Sequence, residues 1–288
     1  METGGISVSS FFMGRQIEDM VVIITGASSG IGRALAVALT RKRAKLVLAA
    51  RREDKLADLN FALGGRHLCI GCDVSRPDQC ERLIAASVSR FGRIDTLVCN
   101  AGYGMVRTVV ETSPEEIRAM FATNVFGTID CIRAAAPVME KQSIVDGVRG
   151  QMMIVSSAAA RRGLPYFGSY SATKSAQMGF AEALRVELKP QKITVTSVHP
   201  IGTKTNFFKE SEGQGNASLP PDSSMRFTQT AEQVALRMAR AIASPVPELW
   251  PMDAAKWALG IGSMVPSLMD SVMESARAKI EAWNRGKS

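Results

Sequence analysis

Aromatic residues are scarce in this 288-residue chain, with three Trp, three Tyr and 6% aromatic content overall. So few flat side chains, with no basic run among them, leave little for nucleic-acid bases to stack on. The net charge is +8, from 35 basic and 27 acidic residues, and those positive charges are spread along the sequence. A general basic surface that attracts an anionic ligand is the simpler reading, and nucleic acid is not an expected partner.

Paired cysteines are missing too. Five is an odd number, scattered through candidate strands and helices, which argues for reduced thiols in the cytosol rather than a disulfide framework. Cys69 and Cys72 form a C-x-x-C after His67, but no second Cys/His pair lies at zinc spacing, so both read as structural thiols and no metal site is expected. The first twenty residues, "METGGISVSSFFMGRQIEDM", carry neither a basic leader region nor a sustained apolar stretch. No secretory signal is read there, and residues 1–19 are expected to be a loose tail. The longest apolar stretch near the C-terminus, Trp257 to Met269, is interrupted by Pro266 and bounded by Lys256 and Asp270. At about 1.5 Å per residue it falls short of a ~30 Å hydrocarbon core, so no membrane span is predicted and the expected location is cytoplasmic.

What remains is an ordinary globular composition, 46% hydrophobic and 22% charged, in a chain long enough to bury one large core. Short apolar runs alternate with segments of helical period. "MVVIIT", "KLVLAA", "HLCIGC", "IDTLVCN", "QMMIVSS" and "ITVTSVHP" are rich in Val, Ile and Leu without strict alternation, as strands buried on both faces should be. Residues 31–41, 78–91, 114–139 and 171–188 fit helices between them, and Ser113 ahead of Pro114 is a predicted N-cap. This order predicts an α/β fold, a doubly wound parallel sheet with helices on both faces. Ligands of such sheets lie beyond the carboxyl ends of the strands. Residues 203–228, rich in Gly, Ser, Pro and Asn, read as a lid whose Phe207, Phe208, Met225 and Phe227 could close over a substrate.

Three clusters carry chemistry. "TGASSGIG" follows the first strand and opens a helix. Gly26 permits a sharp turn, Gly30 a close ligand approach and Gly32 tight packing, while unpaired N–H groups at the helix start suit a pyrophosphate. Its G-x-x-x-G-x-G spacing differs from the common dinucleotide fingerprint. The second strand runs into Arg51 and Arg52 where an acidic residue would hold the ribose of NAD. A guanidinium there favours a 2′-phosphate and hence NADP(H), although Glu53 could still reach a ribose. Tyr170 and Lys174 lie four apart on one helix face, where an ammonium would lower the phenol pKa from about 10 and make it a proton donor or acceptor near neutral pH.

Together "TGASSGIG", "CDVS", "NAG", the Asn of "TNVFG", "SS", "YSATK" and "HPIGTKT" resemble the short-chain dehydrogenase/reductase family in order and spacing, over residues 20–205. The resemblance implies a single Rossmann-fold domain over 20–250 with the lid at about 203–228, followed by a C-terminal helical extension at 251–288. It implies that Tyr170 is the general acid or base, that Ser157, thirteen residues earlier, bonds the substrate oxygen, that Lys174 binds the nicotinamide ribose and lowers the tyrosine pKa, and that Asn124 holds a water in a proton relay. Ser156 is read as the strand end. For the cofactor it implies Gly26, Ser28, Ser29, Gly30, Ile31 and Gly32 at the phosphate turn, and Arg51 and Arg52 at the adenosine ribose. Asp73 and Val74 would lie at the adenine, Asn100, Ala101 and Gly102 beside its ribose, and Pro200 and Thr205 near the carboxamide, with Tyr170 and Lys174 shared with catalysis. The family commonly has glycine after that proline, and this chain has Ile201.

The implied activity is NADP(H)-dependent interconversion of a carbonyl and a secondary alcohol by hydride transfer, with the proton from Tyr170 and no need of a metal. Met105, Val106 and the lid residues suggest a mainly apolar, medium-to-large small-molecule substrate. Arg161 and Arg162 read as a solvated turn, with binding of an anionic substrate group as the alternative. Trp257, Leu259, Ile261, Met264, Val265, Leu268 and Met269 read as buried within the protein, with capping of the pocket, a dimer interface or weak peripheral membrane contact as further readings. A homo-oligomer, dimer or tetramer, is the expected assembly. An NAD-dependent alcohol dehydrogenase and a non-catalytic NADP(H)-binding redox sensor are the rival functions.

Overall fold

The computed structural model describes residues 14–204, 229–264 and 266–285. The apolar runs become β1 (Val21–Thr25), β2 (Lys45–Ala50), β3 (Leu68–Gly71), β4 (Thr96–Cys99), β5 (Gly150–Val155) and β6 (Ile193–Val198). A short pair, β7 (Thr203–Lys204) and β8 (Gln229–Thr230), lies outside the main sheet, and β9 (Glu248–Leu249) completes that sheet's far edge. The order β3-β2-β1-β4-β5-β6-β9 has every neighbour parallel, so the doubly wound sheet predicted from the sequence is the one observed.

Burial on both faces explains the unbroken apolar runs, because successive strand side chains point to opposite sides. On one face Val22, Ile24, Leu46, Leu48 and Val98 pack with Leu35 and Leu39 of α1 (Gly30–Thr40) and Val234 and Met238 of α7 (Ala231–Ala243). On the other, Ile23, Val47, Leu97, Met152 and Ile154 meet Leu83 of α3 (Pro77–Phe91) and Ile132 and Met139 of α5 (Gly127–Lys141). The chain leaves β1 toward one edge and returns through β4 toward the other, so the segments that follow the two strands run apart and leave a crevice beyond their carboxyl ends.

Two local features depart from the sequence reading. A helix over 114–139 is predicted, whereas α4 (Pro114–Phe121) and α5 are joined by a π-helical turn at Ala122–Phe126. The predicted N-cap is present: the Ser113 hydroxyl accepts from Glu116 N at 3.2 Å while the Glu116 carboxylate accepts from Ser113 N at 2.9 Å, a reciprocal capping box. A further helix, α2 (Glu53–Ala62), gives little periodic signal because only Leu56 and Leu59 are buried along it.

The C-terminal segment forms α8 (Asp253–Met264) and α9 (Pro266–Arg285), and among the described residues no helix is long and apolar enough to cross a membrane. Burial of the apolar residues from Trp257 to Met269, the reading from sequence, is corrected for Trp257, which is 70% exposed. Ile280 does turn inward and packs on the cluster that contains Tyr170. The N-terminal residues 1–13, the lid residues Phe207, Phe208, Met225 and Phe227, and Thr205 lie outside the described residues.

Leu97 is fully buried at the centre of the sheet. Leu97→Ala is expected to lower the unfolding free energy by about 2–5 kcal/mol, as loss of transfer energy and a residual cavity add. Urea denaturation of the variant against the wild type measures it.

Candidate active site

The crevice is built around a hydrogen-bonded junction between the ends of β1 and β4. Thr25 Oγ1 accepts from the backbone N–H groups of Asn100 and Ala101, both at 3.0 Å, and donates to Val98 O at 3.3 Å. The Asn100 amide returns the contact, donating to Thr25 O at 2.9 Å and Gly26 O at 3.3 Å. The chain then turns through Gly26 and Gly30, both at positive φ (65 and 52). Gly32 fits because a Cβ there would lie 2.7 Å from Asn100 Nδ2 and strike the Gly26 carbonyl. No side chain caps the N-terminus of α1 and no acidic residue lies in its first turn, so its N–H groups are left for an anion.

A cavity of ≈ 1740 Å³ runs along this crevice. Its walls include Gly26, Ser28, Ser29, Gly30 and Ile31, then Arg51 and Arg52, Asp73 and Val74, Asn100 to Gly102, and Ser157, Tyr170, Lys174 and Pro200. Gly32 sits behind the turn and Asn124 behind Gly102. Arg52 Nη2 donates to Ser28 Oγ at 3.4 Å, so a guanidinium and a hydroxyl stand together beside the turn. Glu53 is not in this wall: its carboxylate fills the space beside Gly71, where a Cβ would project. Asp73 accepts from Ser75 N at 3.0 Å and Ser75 Oγ at 2.8 Å, which fixes its carboxylate.

At the inner end of the cavity the catalytic candidates converge from three elements. Asn124 comes from the π-helical turn. Its Oδ1 accepts from Tyr103 N at 3.0 Å, and its Nδ2 donates to Tyr103 O at 2.9 Å and Thr173 Oγ1 at 3.0 Å. Gly102 is required beside it, since a Cβ would lie 2.9 Å from Asn124 Oδ1 and 3.7 Å from Lys174 Nζ. Ser157 follows β5, and its Oγ accepts from Ala159 N at 3.1 Å at the start of a 3-10 turn. Ser156 does more than end the strand: its hydroxyl donates to the Lys174 carbonyl at 2.7 Å and ties β5 to α6 (Gly168–Glu187).

Tyr170 and Lys174 share the inward face of α6, both buried, with Nζ 5.7 Å from the phenol ring centre. The sequence predicts that an ammonium lowers the phenol pKa, and the structure corrects this. Burial pushes Tyr170 up to about 12, against a hydrogen bond from Ser157 that pulls the other way. Burial likewise brings Lys174 down to about 7. The reason is geometric: Nζ is taken deep inside the protein and met there by two neutral acceptors, Val155 O at 2.9 Å and Gln177 Oε1 at 2.8 Å. At neutral pH the phenol therefore keeps its proton, ready to give. Gln177 is the residue that the motif reading missed; its signal was a polar side chain at the i, i+4, i+7 positions of Tyr170 and Lys174.

Around this centre Met105, Val106, Met120, Ala159 and Phe167 pack with Tyr170 into an apolar wall, and Tyr103, Leu164, Tyr166 and Ile280 join its edge. The two arginines read as a solvated turn are ion-paired. Arg161 meets Glu248 at 2.9 Å and Arg162 meets Asp270, anchoring β9 and α9 beside the apolar wall. Tyr166, at φ 65, adds a hydrogen bond from its hydroxyl to Glu281 Oε1 at 3.3 Å. His199 stacks on Trp250 at 4.4 Å, bonds Ser197 Oγ at 3.0 Å, and is pushed down to about 4 by burial, so it is a neutral structural support. After Pro200, the backbone N–H of Ile201 donates to Gln229 Oε1 at 3.4 Å.

Residues 20–215 match the profile of the short chain dehydrogenase family. A dehydrogenase/reductase SDR family member 7B from Xenopus laevis is 31% identical over 284 residues, covering 95% of this chain and 86% of the relative. Among solved structures, a short chain dehydrogenase from Burkholderia cenocepacia in complex with NADP is 27% identical, with TM-score 0.73, over 90% of this chain and 98% of the other. A 3-ketoacyl-(acyl-carrier-protein) reductase from Brucella melitensis complexed with NADH is also 27% identical, with TM-score 0.70, over 81% and 97%.

Lys174 gives the cofactor-free protein a testable pH signature. With its folded pKa near 7, against an ordinary 10.5, the unfolded chain binds more protons between those values. Stability therefore rises as pH increases from 7 toward 10.5. Denaturation of wild type and Lys174→Met at pH 7 and pH 9.5 should show the wild type gaining about 1–4 kcal/mol relative to the variant. Equal slopes would place the lysine charge elsewhere.

Proposed function

Because the chain belongs to the short chain dehydrogenase family, and is thus an oxidoreductase of CH–OH groups, we propose that it interconverts a carbonyl and a secondary alcohol on a mainly apolar, medium-to-large substrate with NADP(H). The single observation that carries the reading is the convergence of Ser157, Tyr170 and Lys174 at the inner end of a cavity whose other end is the uncapped helix start and glycine turn. The bound nicotinamide supplies or accepts the hydride at the substrate carbon.

The residues of the cavity fit a dinucleotide. The α1 N-terminus and the turn from Gly26 to Gly32 suit its pyrophosphate, and Asp73 and Val74 suit the adenine. Arg52 beside Ser28, with Arg51 next to it and Glu53 turned away to Gly71, supports a 2′-phosphate over a free ribose. Asn100 to Gly102 and Lys174 are assigned the ribose groups, and Pro200 with the residues after it the nicotinamide end.

Ser157 and Tyr170 together hold the substrate oxygen. Tyr170 gives its proton as a carbonyl is reduced and takes one back as an alcohol is oxidised, and the high phenol pKa makes the donor form the resting one. Lys174, near its own midpoint at neutral pH, is the buried group able to replace that proton. Met105, Val106, Met120 and Phe167 favour an apolar body around the reacting oxygen and exclude water from it. Phe180 and Val186, exposed at 43% and 73% on α6, support association of the chain with itself.

The test is consumption of NADPH across a panel from small aldehydes to large apolar ketones. Tyr170→Phe should lose about 10²- to 10⁴-fold in turnover while binding NADPH as the wild type does. Retained turnover in that variant rejects Tyr170 as the acid. Arg52→Asp should weaken NADPH about 10- to 100-fold and leave NADH within a few-fold, measured by fluorescence titration. Equal losses for both would reject the 2′-phosphate reading.

A further inference from the structure

Gln177 is 1% exposed, and its carboxamide bonds through the oxygen and through both N–H groups. Its Oε1 accepts from Lys174 Nζ at 2.8 Å; its Nε2 donates to the Asn124 carbonyl at 2.6 Å and to Thr128 Oγ1 at 2.9 Å. The orientation of the amide is fixed, because a backbone carbonyl can only accept. The Asn124 carbonyl also accepts from Thr128 Oγ1 at 2.8 Å, and it lies in the π-helical turn that departs from the ordinary helical ladder.

We infer that Gln177 is a positioning residue of the proposed reaction, joining the Lys174 amine directly to the Asn124 carbonyl and so fixing both the place and the charge of the lysine that serves Tyr170. The inference rests on the function proposed above. A residue that only fills the interior would be better apolar, since a buried amide gains little net stability even when fully bonded. Here an apolar residue would leave Nζ and the Asn124 carbonyl each short of a partner. The carboxamide keeps its own protons, so it orients the network without carrying one.

The surroundings leave this amide as a main control on the lysine charge. Burial lowers Lys174, and the hydrogen-bond partners of its Nζ, Val155 O and Gln177 Oε1, are neutral. The π-helical turn and α5 contribute the neutral Asn124 and Thr128, and β5 contributes the Val155 carbonyl. The titratable neighbours are Tyr170, on the same helix, and the Cys99 thiol of β4, which burial keeps protonated and which donates to the Thr128 carbonyl at 3.8 Å. The Gln177 oxygen favours the ammonium; removing it should favour the neutral amine and leave Tyr170 a weaker acid.

Lysine labelled with ¹³C at Cε reports this by NMR in the cofactor-free protein, the Lys174 signal being the one lost in Lys174→Met. In Gln177→Leu its midpoint should fall by about one pH unit, and in Gln177→Glu, which places a carboxylate against the amine, it should rise. In alcohol oxidation the limb of kcat/KM that rises with pH should move upward by about one unit in Gln177→Leu, with kcat down roughly tenfold and KM within about twofold. A folded Gln177→Leu with an unmoved lysine midpoint and an unmoved limb overturns the inference. If that variant does not fold, an unmoved midpoint in Gln177→Glu overturns it instead. Absence of turnover in the wild type would count against the proposed function alone, because the lysine titration needs neither cofactor nor substrate.

Discussion

The bond between Thr25 and the Asn100 segment is the constraint from which the rest of the site follows. It closes β1 against β4 where the sheet changes direction, with one hydroxyl accepting two backbone N–H groups and the Asn100 amide answering across the gap. Two backbones held so near leave no room for side chains, which is why Gly32 sits against Gly26 and Gly102 against Asn124. From Gly102 the chain passes to Tyr103, whose backbone grips Asn124, and the Asn124 carbonyl passes the connection through Gln177 to Lys174. Hydrogen bonds and one short stretch of backbone thus connect the glycine turn to Lys174, and every partner along the way is neutral. Neutral donors and acceptors can be buried in this way at small net cost, whereas an unpaired charge could not.

Much of this was legible in the sequence because the physics that dictates it is local or periodic. Strands buried on both faces are apolar at most positions, so "KLVLAA" and "QMMIVSS" read as strands in a chain that also carries helical periods. A strand that runs into "TGASSGIG" announces a turn and an open helix start. Tyr170 and Lys174 share a helix face by spacing alone. The cavity gathers the site residues named from sequence at both of its ends, apart from Gly32 and Asn124, which stand behind its wall, and Thr205, which lies outside the described residues.

What escaped depends on the third dimension. Five residues around Asn124 wind as a π-turn although their composition suits an ordinary helix, and the buried Asn124 carbonyl within it meets the Gln177 amide from another helix. The Lys174 charge was misjudged because proximity to a phenol says nothing of depth, and depth here outweighs Coulomb attraction. Arg161 and Arg162 looked solvated since their acids, Glu248 and Asp270, lie about ninety and a hundred residues further along. Gln177 was concealed among the core-facing positions of a helix, where a polar residue gives no hint of its partners.

The anchoring of α9 has a consequence in time. Ile280 closes the edge of the apolar wall, and Arg162 and Tyr166 reach Asp270 and Glu281 to hold it there, across separations of more than a hundred residues. During synthesis β1 to β6 leave the ribosome well before those partners do. Until the segment that carries Asp270, Ile280 and Glu281 is available, the wall beside the phenol lacks its outer edge. Completion of the pocket wall therefore waits on a segment made more than a hundred residues after the one it closes upon.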